Sequence, residues 1–330
     1  MHVARKNGRV ERLFKSSLGA PIYIYWAPDS LSLSFIMQES TRGFTLYLLQ
    51  TDSGRLMKLD AGSPYYWDWS PDSRTIVAHA GGENGVTTGR LSLISVNGWG
   101  QGKTDMPVKP GLFQSPVFAS NGSTVVAAVR DRSNRSSLAG LSREGQIREG
   151  LAGLEGAAVF SRSPDGRRLA FIDGSPTPLL GAVGSLRLID FKPGLQMPRS
   201  ANLPRGVSAF FWSPDGSRIA YFVPELQRTG AQNLILLFTL FILDAESQEA
   251  SRLLTFIPSP DFVQQIVPFH DQYQRSHTIW SPDSEYLVLD NLTSEGKPGI
   301  FTVSVSSAAQ AEGGSAPRMI AYGSLPFWSP

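Results

Sequence analysis

The sequence contains no cysteine. That excludes disulfides, thiolate metal centres, iron–sulfur clusters and cysteine nucleophiles. It fits any compartment and so locates the chain in none. Charge is also sparse. Charged residues make up 18% of the chain, against about 25% in an average globular protein. The 30 basic and 28 acidic residues leave a net charge of +2. This balance argues against a nucleic-acid partner or an anionic membrane held mainly by charge. No apolar run approaches the roughly 18–20 residues that a membrane-spanning helix needs. The strongest, LILLFTLFIL at Leu234–Leu243, has ten residues and reads as a buried strand. The N-terminal MHVARKNGRVERLFKSS has basic residues but lacks the apolar core of about 7–15 residues that marks a secretory signal.

Familiar catalytic patterns are missing too. No G-x-S-x-G nucleophile elbow occurs. The four histidines, His2, His79, His270 and His277, fall into no metal-ligand spacing. No glycine-rich phosphate loop follows a strand and opens a helix. These gaps lead to the expectation of a chain that is not an enzyme and has no cofactor or metal.

The residues present suit a large folded core: 41% are hydrophobic and 10% aromatic, with 32 glycines and 23 prolines marking many turns. A short pattern recurs along the whole length. An aromatic and a small residue precede Pro-Asp and Ser or Gly, and an apolar run follows. Trp26-Ala-Pro-Asp29-Ser30, Trp69-Ser-Pro-Asp72-Ser73, Trp212-Ser-Pro-Asp215-Gly216 and Trp280-Ser-Pro-Asp283-Ser284 carry it in full. Arg162-Ser-Pro-Asp165-Gly166 loses the aromatic, Phe118-Ala-Ser-Asn121-Gly122 loses the proline, and Trp328-Ser-Pro330 ends the chain inside a further copy. Successive Asp/Asn positions lie 43, 49, 44, 50 and 68 residues apart.

This is the chemistry of a tight turn. Proline presets the backbone angle, the Asp side chain accepts from nearby amides, and Gly or Ser tolerates the exit geometry. The preceding tryptophan is large enough to pack between neighbouring sheets. Trp26, Asp29, Trp69, Asp72, Asp165, Trp212, Asp215, Trp280 and Asp283 are therefore assigned structural roles. Each turn leads into a strand-like run such as Thr75-Ile-Val-Ala78 or Arg218-Ile-Ala-Tyr-Phe222. Two further strands joined by Xaa-Gly turns follow it. Four strands in about 45 residues is the period of a propeller blade. The expected fold is all-β: a β-propeller of four-stranded antiparallel blades in one domain, 1–330. Seven blades are expected, six full units plus one closed from both termini. In that blade the N-terminal HVARKNGRVERL, which aligns with LLQTDSGRLMKL, supplies the last two strands and the C-terminus the first. The competing expectation is a piece of a longer chain.

The WSPDG and WSPDS motifs followed by IAF- or IAY-like strands resemble the repeat of the TolB β-propeller family. They are also similar to the propeller that precedes the hydrolase domain in prolyl-oligopeptidase-type peptidases. The first resemblance implies a non-catalytic scaffold that binds a protein or peptide outside the cytoplasm. The second implies a propeller whose peptidase domain is missing from this chain. A lectin-like ligand-binding propeller is a third class. A monomer is expected.

Function is expected on the rim opposite the Pro-Asp turns, where the connections are longer: Gly81–Gly89, Asp173–Gly184, Pro224–Asn233, Asn291–Gly299 and above all Thr255–His277. Thr255–His277 accounts for the 68-residue gap and interleaves aromatics with charge. Phe262, Phe269, His270, Tyr273 and Arg275 are the expected partner-binding residues. The alternative is that these aromatics only anchor the loop over its own blade.

Overall fold

The computed structural model of the chain describes residues 2–4, 10–12, 15, 19–40, 43–81, 89–96, 102–191, 204–229, 233–305 and 316–328. They fall into two compact units, Met1–Gly153 and Leu154–Pro330. Among the described residues no helix is long and apolar enough to cross a membrane.

Unit 1 begins with a two-stranded antiparallel pair, β1 (His2–Ala4) and β2 (Val10–Arg12). Three four-stranded antiparallel sheets follow, each laid down in sequence order. The first holds β3 (Ile22–Trp26), β4 (Ser32–Ser40), β5 (Gly43–Gln50) and β6 (Leu56–Gly62). The second holds β7 (Tyr65–Trp69), β8 (Thr75–Ala80), β9 (Arg90–Ser95) and β10 (Gly102–Asp105). The third holds β11 (Val117–Phe118), β12 (Thr124–Arg130), β13 (Ser136–Ser142) and β14 (Ile147–Leu154).

Unit 2 repeats the plan. β15 (Ala157–Arg162), β16 (Arg168–Thr177) and β17 (Gly181–Asp190) form one sheet, whose outer edge is met by a bridge between Gly184 and Val207. The next contains β18 (Ala209–Trp212), β19 (Arg218–Thr229), β20 (Asn233–Asp244) and β21 (Ala250–Phe256). The last contains β22 (Tyr286–Leu292), β23 (Pro298–Ser304) and β24 (Arg318–Tyr322), and a bridge from Trp280 to Leu287 stands where a first strand would be. The ten-residue apolar run lies inside β20, as its length requires.

The recurring turns share one set of bonds. In the second repeat the Ser70 amide donates to Thr75 O at 2.8 Å and the Ser73 amide returns to Ser70 O at 2.9 Å. The Ser70 hydroxyl donates to Asp72 Oδ1 at 2.6 Å and accepts from the Thr75 amide at 2.9 Å. Asp72 Oδ1 also accepts from the Arg74 amide. The same bonds recur around Asp165, Asp215 and Asp283. Around Asp29, where Ala27 stands in place of the serine, the two backbone bonds and the bond from the Leu31 amide to Asp29 Oδ1 remain and the hydroxyl's bonds are lost. The fourth turn position is left-handed every time, at Ser30, Ser73, Gly122, Gly166, Gly216 and Ser284. This is why Gly alternates with small polar Ser there.

The turn tryptophans fasten each sheet to the one before it within a unit. Trp69 Nε1 donates to Ser34 Oγ at 2.9 Å, Trp212 Nε1 to Ser161 O at 3.3 Å, and Trp280 Nε1 to Phe211 O at 3.0 Å. All three are buried, as expected. Trp26 departs from the expectation: it is 43% exposed. It stands on the first of the larger sheets of unit 1, with no larger sheet preceding it in that unit to receive its indole.

The expected long connections also differ. Residues 173–184 are the far end of the β16–β17 ribbon, paired through Thr177↔Gly181. Residues 224–233 continue the β19–β20 ribbon to Thr229↔Asn233. Strand pairing runs on because backbone groups pair most cheaply with one another once a hairpin is established. The interior of 81–89 lies outside the described residues.

Candidate functional site

The segment after β21 is not an exposed loop. The Leu292 amide donates to Ile257 O at 2.8 Å, the Ile257 amide donates to Asn291 Oδ1 at 3.1 Å, and Ser259 Oγ accepts from the Phe262 amide at 3.1 Å, capping a turn that begins there. A π-helical turn (Phe262–Ile266), a 3₁₀ turn (Val267–Phe269) and a one-turn helix α1 (His270–Tyr273) follow. Phe262, Val263, Ile266 and Val267 enter the main core of unit 2. Phe262 packs edge-to-face against Phe222 and Phe238. His270 is 1% exposed, lies against Phe210 and Phe211, and engages Val267 O through Nδ1 at 2.9 Å.

Two residues expected on a binding surface, Phe262 and His270, are therefore interior. The segment is amphipathic at helical rather than strand spacing, and its apolar side closes over β18–β20. Phe269 is 38% exposed, and Tyr273 and Arg275 are half-buried. Tyr273 stacks on Phe327, whose ring also meets His277 at 4.7 Å.

This layer covers a carboxyl that sequence reasoning did not single out. Asp290, near the end of β22, is fully buried. Its Oδ2 accepts from Ser259 Oγ at 2.8 Å and from the Leu325 amide at 2.9 Å. Its Oδ1 is buried with no hydrogen-bond partner. Burial pushes the Asp290 carboxyl above its ordinary range, the two donors offset part of that, and the charge of Asp261 adds to the rise. Asp261 is held by Ser324 Oγ at 2.6 Å, so adjacent residues of one segment grip both carboxyls. Leu325 does so from a left-handed backbone, φ 55°, a strained conformation for a branched side chain. Of the six buried side-chain polar atoms without a partner among the described residues, His270 Nε2, Gln274 Nε2 and Asp290 Oδ1 belong to this layer and the strand beneath it. Such atoms are uncommon in folded proteins and call for an explanation. No group of three or more His, Asp or Glu able to hold a metal occurs among the described residues.

A sequence signal for Asp290 did exist. Seven residues after each turn Asp/Asn stand Ile36, His79, Ala128, Ile172, Phe222 and Asp290. Four copies are apolar. The two polar ones, His79 and Asp290, are both buried.

No family model matches the chain, and no curated protein does. Solved structures do. The periplasmic gluconolactonase of Pseudomonas aeruginosa is 16% identical, over 96% of this chain and 88% of that one, with a TM-score of 0.54. The oligogalacturonate lyase of Vibrio parahaemolyticus is 14% identical over 97% and 83%, with a TM-score of 0.53. TolB of Acinetobacter baumannii is similar at 14% identity and a TM-score of 0.44; 89% of this chain spans 64% of that protein. The fold is that of a β-propeller. The expectation that the chain is not an enzyme is corrected: the gluconolactonase and the lyase, which share this fold, are enzymes, so the fold carries no such exclusion.

Proposed function

We propose that this chain is a β-propeller enzyme acting on a small, oxygen-rich substrate of the sugar-acid or sugar-lactone class, with its chemistry in unit 2 beside Asp290. The observation that carries the reading is the buried Asp290 carboxyl with one oxygen unpartnered. A carboxyl lifted above its ordinary range holds a proton that an exposed one would have lost, which suits a general acid. Asp261 serves as its charged neighbour. Burial lowers the pKa of the His277 imidazole, so His277 adds a neutral base at the edge of the layer. The gluconolactonase and lyase likenesses support the substrate class. The test is turnover of glucono-δ-lactone and of oligogalacturonate by the chain and by Asp290→Asn. Turnover of either, lost in the variant, supports the reading. No turnover of both, with no heat of binding, sinks it.

A second reading, binding of a protein or peptide partner, rests on Phe269. It lies beside the β16–β17 ribbon, where Pro268 abuts Gly181 and Leu179 is 47% exposed. Phe269→Ser with Leu179→Ser should abolish partner capture without unfolding the chain. Capture that survives both changes removes this reading.

A further inference from the structure

In unit 2 the β19–β20 ribbon outruns its own sheet. β18 pairs with β19 only as far as Phe222, and β21 pairs with β20 only from Phe238 onward. β19 and β20 stay paired with each other out to Thr229↔Asn233. Residues 223–229 and 233–237 therefore form a two-stranded ribbon whose backbone edges are both open among the described residues. A ribbon of this kind is marginal in water on its own. It also exposes apolar side chains: Leu226 is 65% and Leu234 58% exposed. The two edges differ. The β19 edge is guarded, because Pro224 has no amide and Glu225 and Arg228 are charged. The β20 edge reads Leu234-Ile-Leu-Leu237, with no charge and no proline. Its backbone direction follows from the neighbouring bonds. The Ser208 amide donates to Phe222 O at 2.9 Å, so Phe222 turns its backbone groups away from β20. That direction alternates along a strand, and the β19–β20 register is unbroken. Leu226 and Arg228 therefore also face away from β20, and their partners Leu236 and Leu234 face away from β19.

We propose that the Leu234–Leu237 edge pairs with the same edge of a second copy of this chain. Antiparallel pairing about Ile235 sets Leu234 opposite the copy's Leu236 on both sides of the two-fold axis. These are the residues whose amides and carbonyls face outward, so each such pair exchanges both of its N–H···O bonds. Ile235 meets the copy's Ile235 in the closer, non-bonded pair between them, and the two ribbons join into one four-stranded sheet. Lipid does not suit this edge, since it offers no partner to backbone groups. A charged peptide does not suit it either, because its side chains would lie against Leu226, Leu234 and Leu236. Pairing past Leu237 is blocked where β21 takes over at Phe238. The open stretch thus accepts a short apolar strand of its own length, and the copy supplies one. A dimer departs from the monomer expected from the sequence, and it is independent of the roles given to Asp290 and Phe269.

The test is sedimentation velocity of the whole chain over a range of concentrations, with a dimer expected as concentration rises. Leu234→Pro removes an outward amide that the β19–β20 ladder does not use. It should shift the chain to monomer with its circular dichroism unchanged. The chain has no cysteine, so Ile235→Cys introduces its only thiol. On mild oxidation that variant should run as a disulfide-linked dimer, because opposite residues of a non-bonded pair lie about 4.5 Å apart between Cα atoms. Leu226→Cys, on the guarded strand, should not, since a whole strand separates it from the two-fold axis. A chain that stays monomeric at every concentration overturns the proposal, as does a dimer that survives Leu234→Pro. Equal cross-linking at the two thiols overturns it too, because the contact then lies elsewhere. If Leu234→Pro unfolds the chain, the two thiol variants decide.

Discussion

The backbone amide of Asp29 donates to the hydroxyl of Ser73 at 2.9 Å, joining the turn of one repeat to the turn of the next. Asp215 and Ser284 are joined in the same way at 3.3 Å. The left-handed position is therefore more than a tolerated exit. At Ser73 and Ser284 its hydroxyl links consecutive turns. Where it is Gly216, a Cβ would sit 3.4 Å from Asp165 Cγ, close contact but no clash.

Ser73→Ala should cost about 1 kcal/mol, the worth of one hydrogen bond. Gly216→Ala should cost about 1–2 kcal/mol, from the left-handed backbone alone. Urea midpoints of the single variants measure both. No loss in either would mean that the turns adapt freely.

The tryptophans divide into two classes. Trp212→Ala and Trp280→Ala should each cost roughly 3–5 kcal/mol, because each empties a packed site between sheets. Trp26→Ala should cost clearly less, about 1–2 kcal/mol, because that residue is 43% exposed and its loss empties no closed site between sheets. Equal costs at all three positions would contradict the different burial.

Acid should destabilise the chain before its carboxylates are titrated. Burial lowers the pKa of His79 and of His270 to about 4 from 6.5. Unfolded chains take up these protons first as pH falls, so stability is lost from pH 6.5 downward, until native protonation near 4 ends the loss. Each histidine contributes roughly 3 kcal/mol over that window. Denaturation midpoints at several pH values should flatten in His79→Phe and His270→Phe. An unchanged slope would mean that the imidazoles are solvated.

Asp290 should behave in the opposite sense. A carboxyl pKa raised in the folded state gives stability that is full at low pH and declines as pH rises through the native value. Asp290→Asn removes that decline, so the variant should gain on the parent as pH rises from acid to neutral, while losing turnover. Gaining stability while losing function marks a residue kept for its chemistry.

Much of this was legible in the sequence. The turn at Asp72 or Asp215 is a local event, written in neighbouring residues, so its bonds and the strand after it follow directly from the motif. Burial of Trp212 and Trp280 followed from size and position. Exposure of Trp26 did not, because it depends on which sheet precedes it. The segment around Phe262 was misjudged because aromatics interleaved with charge suit both an exposed patch and a short helix closing on a core, and only the neighbouring Phe222 and Phe238 decide between them. Asp290 was hidden for a related reason. Its partners, Ser259 and Leu325, are distant in sequence, and only comparison of equivalent repeat positions separates it from solvent-facing aspartates.

The most direct measurement is a carbon NMR titration of the Asp290 carboxyl in the intact chain, assigned by comparison with Asp290→Asn. A buried carboxyl beside Asp261 should titrate above the ordinary value of 3.8 and should move back down in Asp261→Asn. A carboxyl that titrates at or below that value, unmoved by the Asp261 substitution, would contradict the proton-holding role on which the proposed function rests.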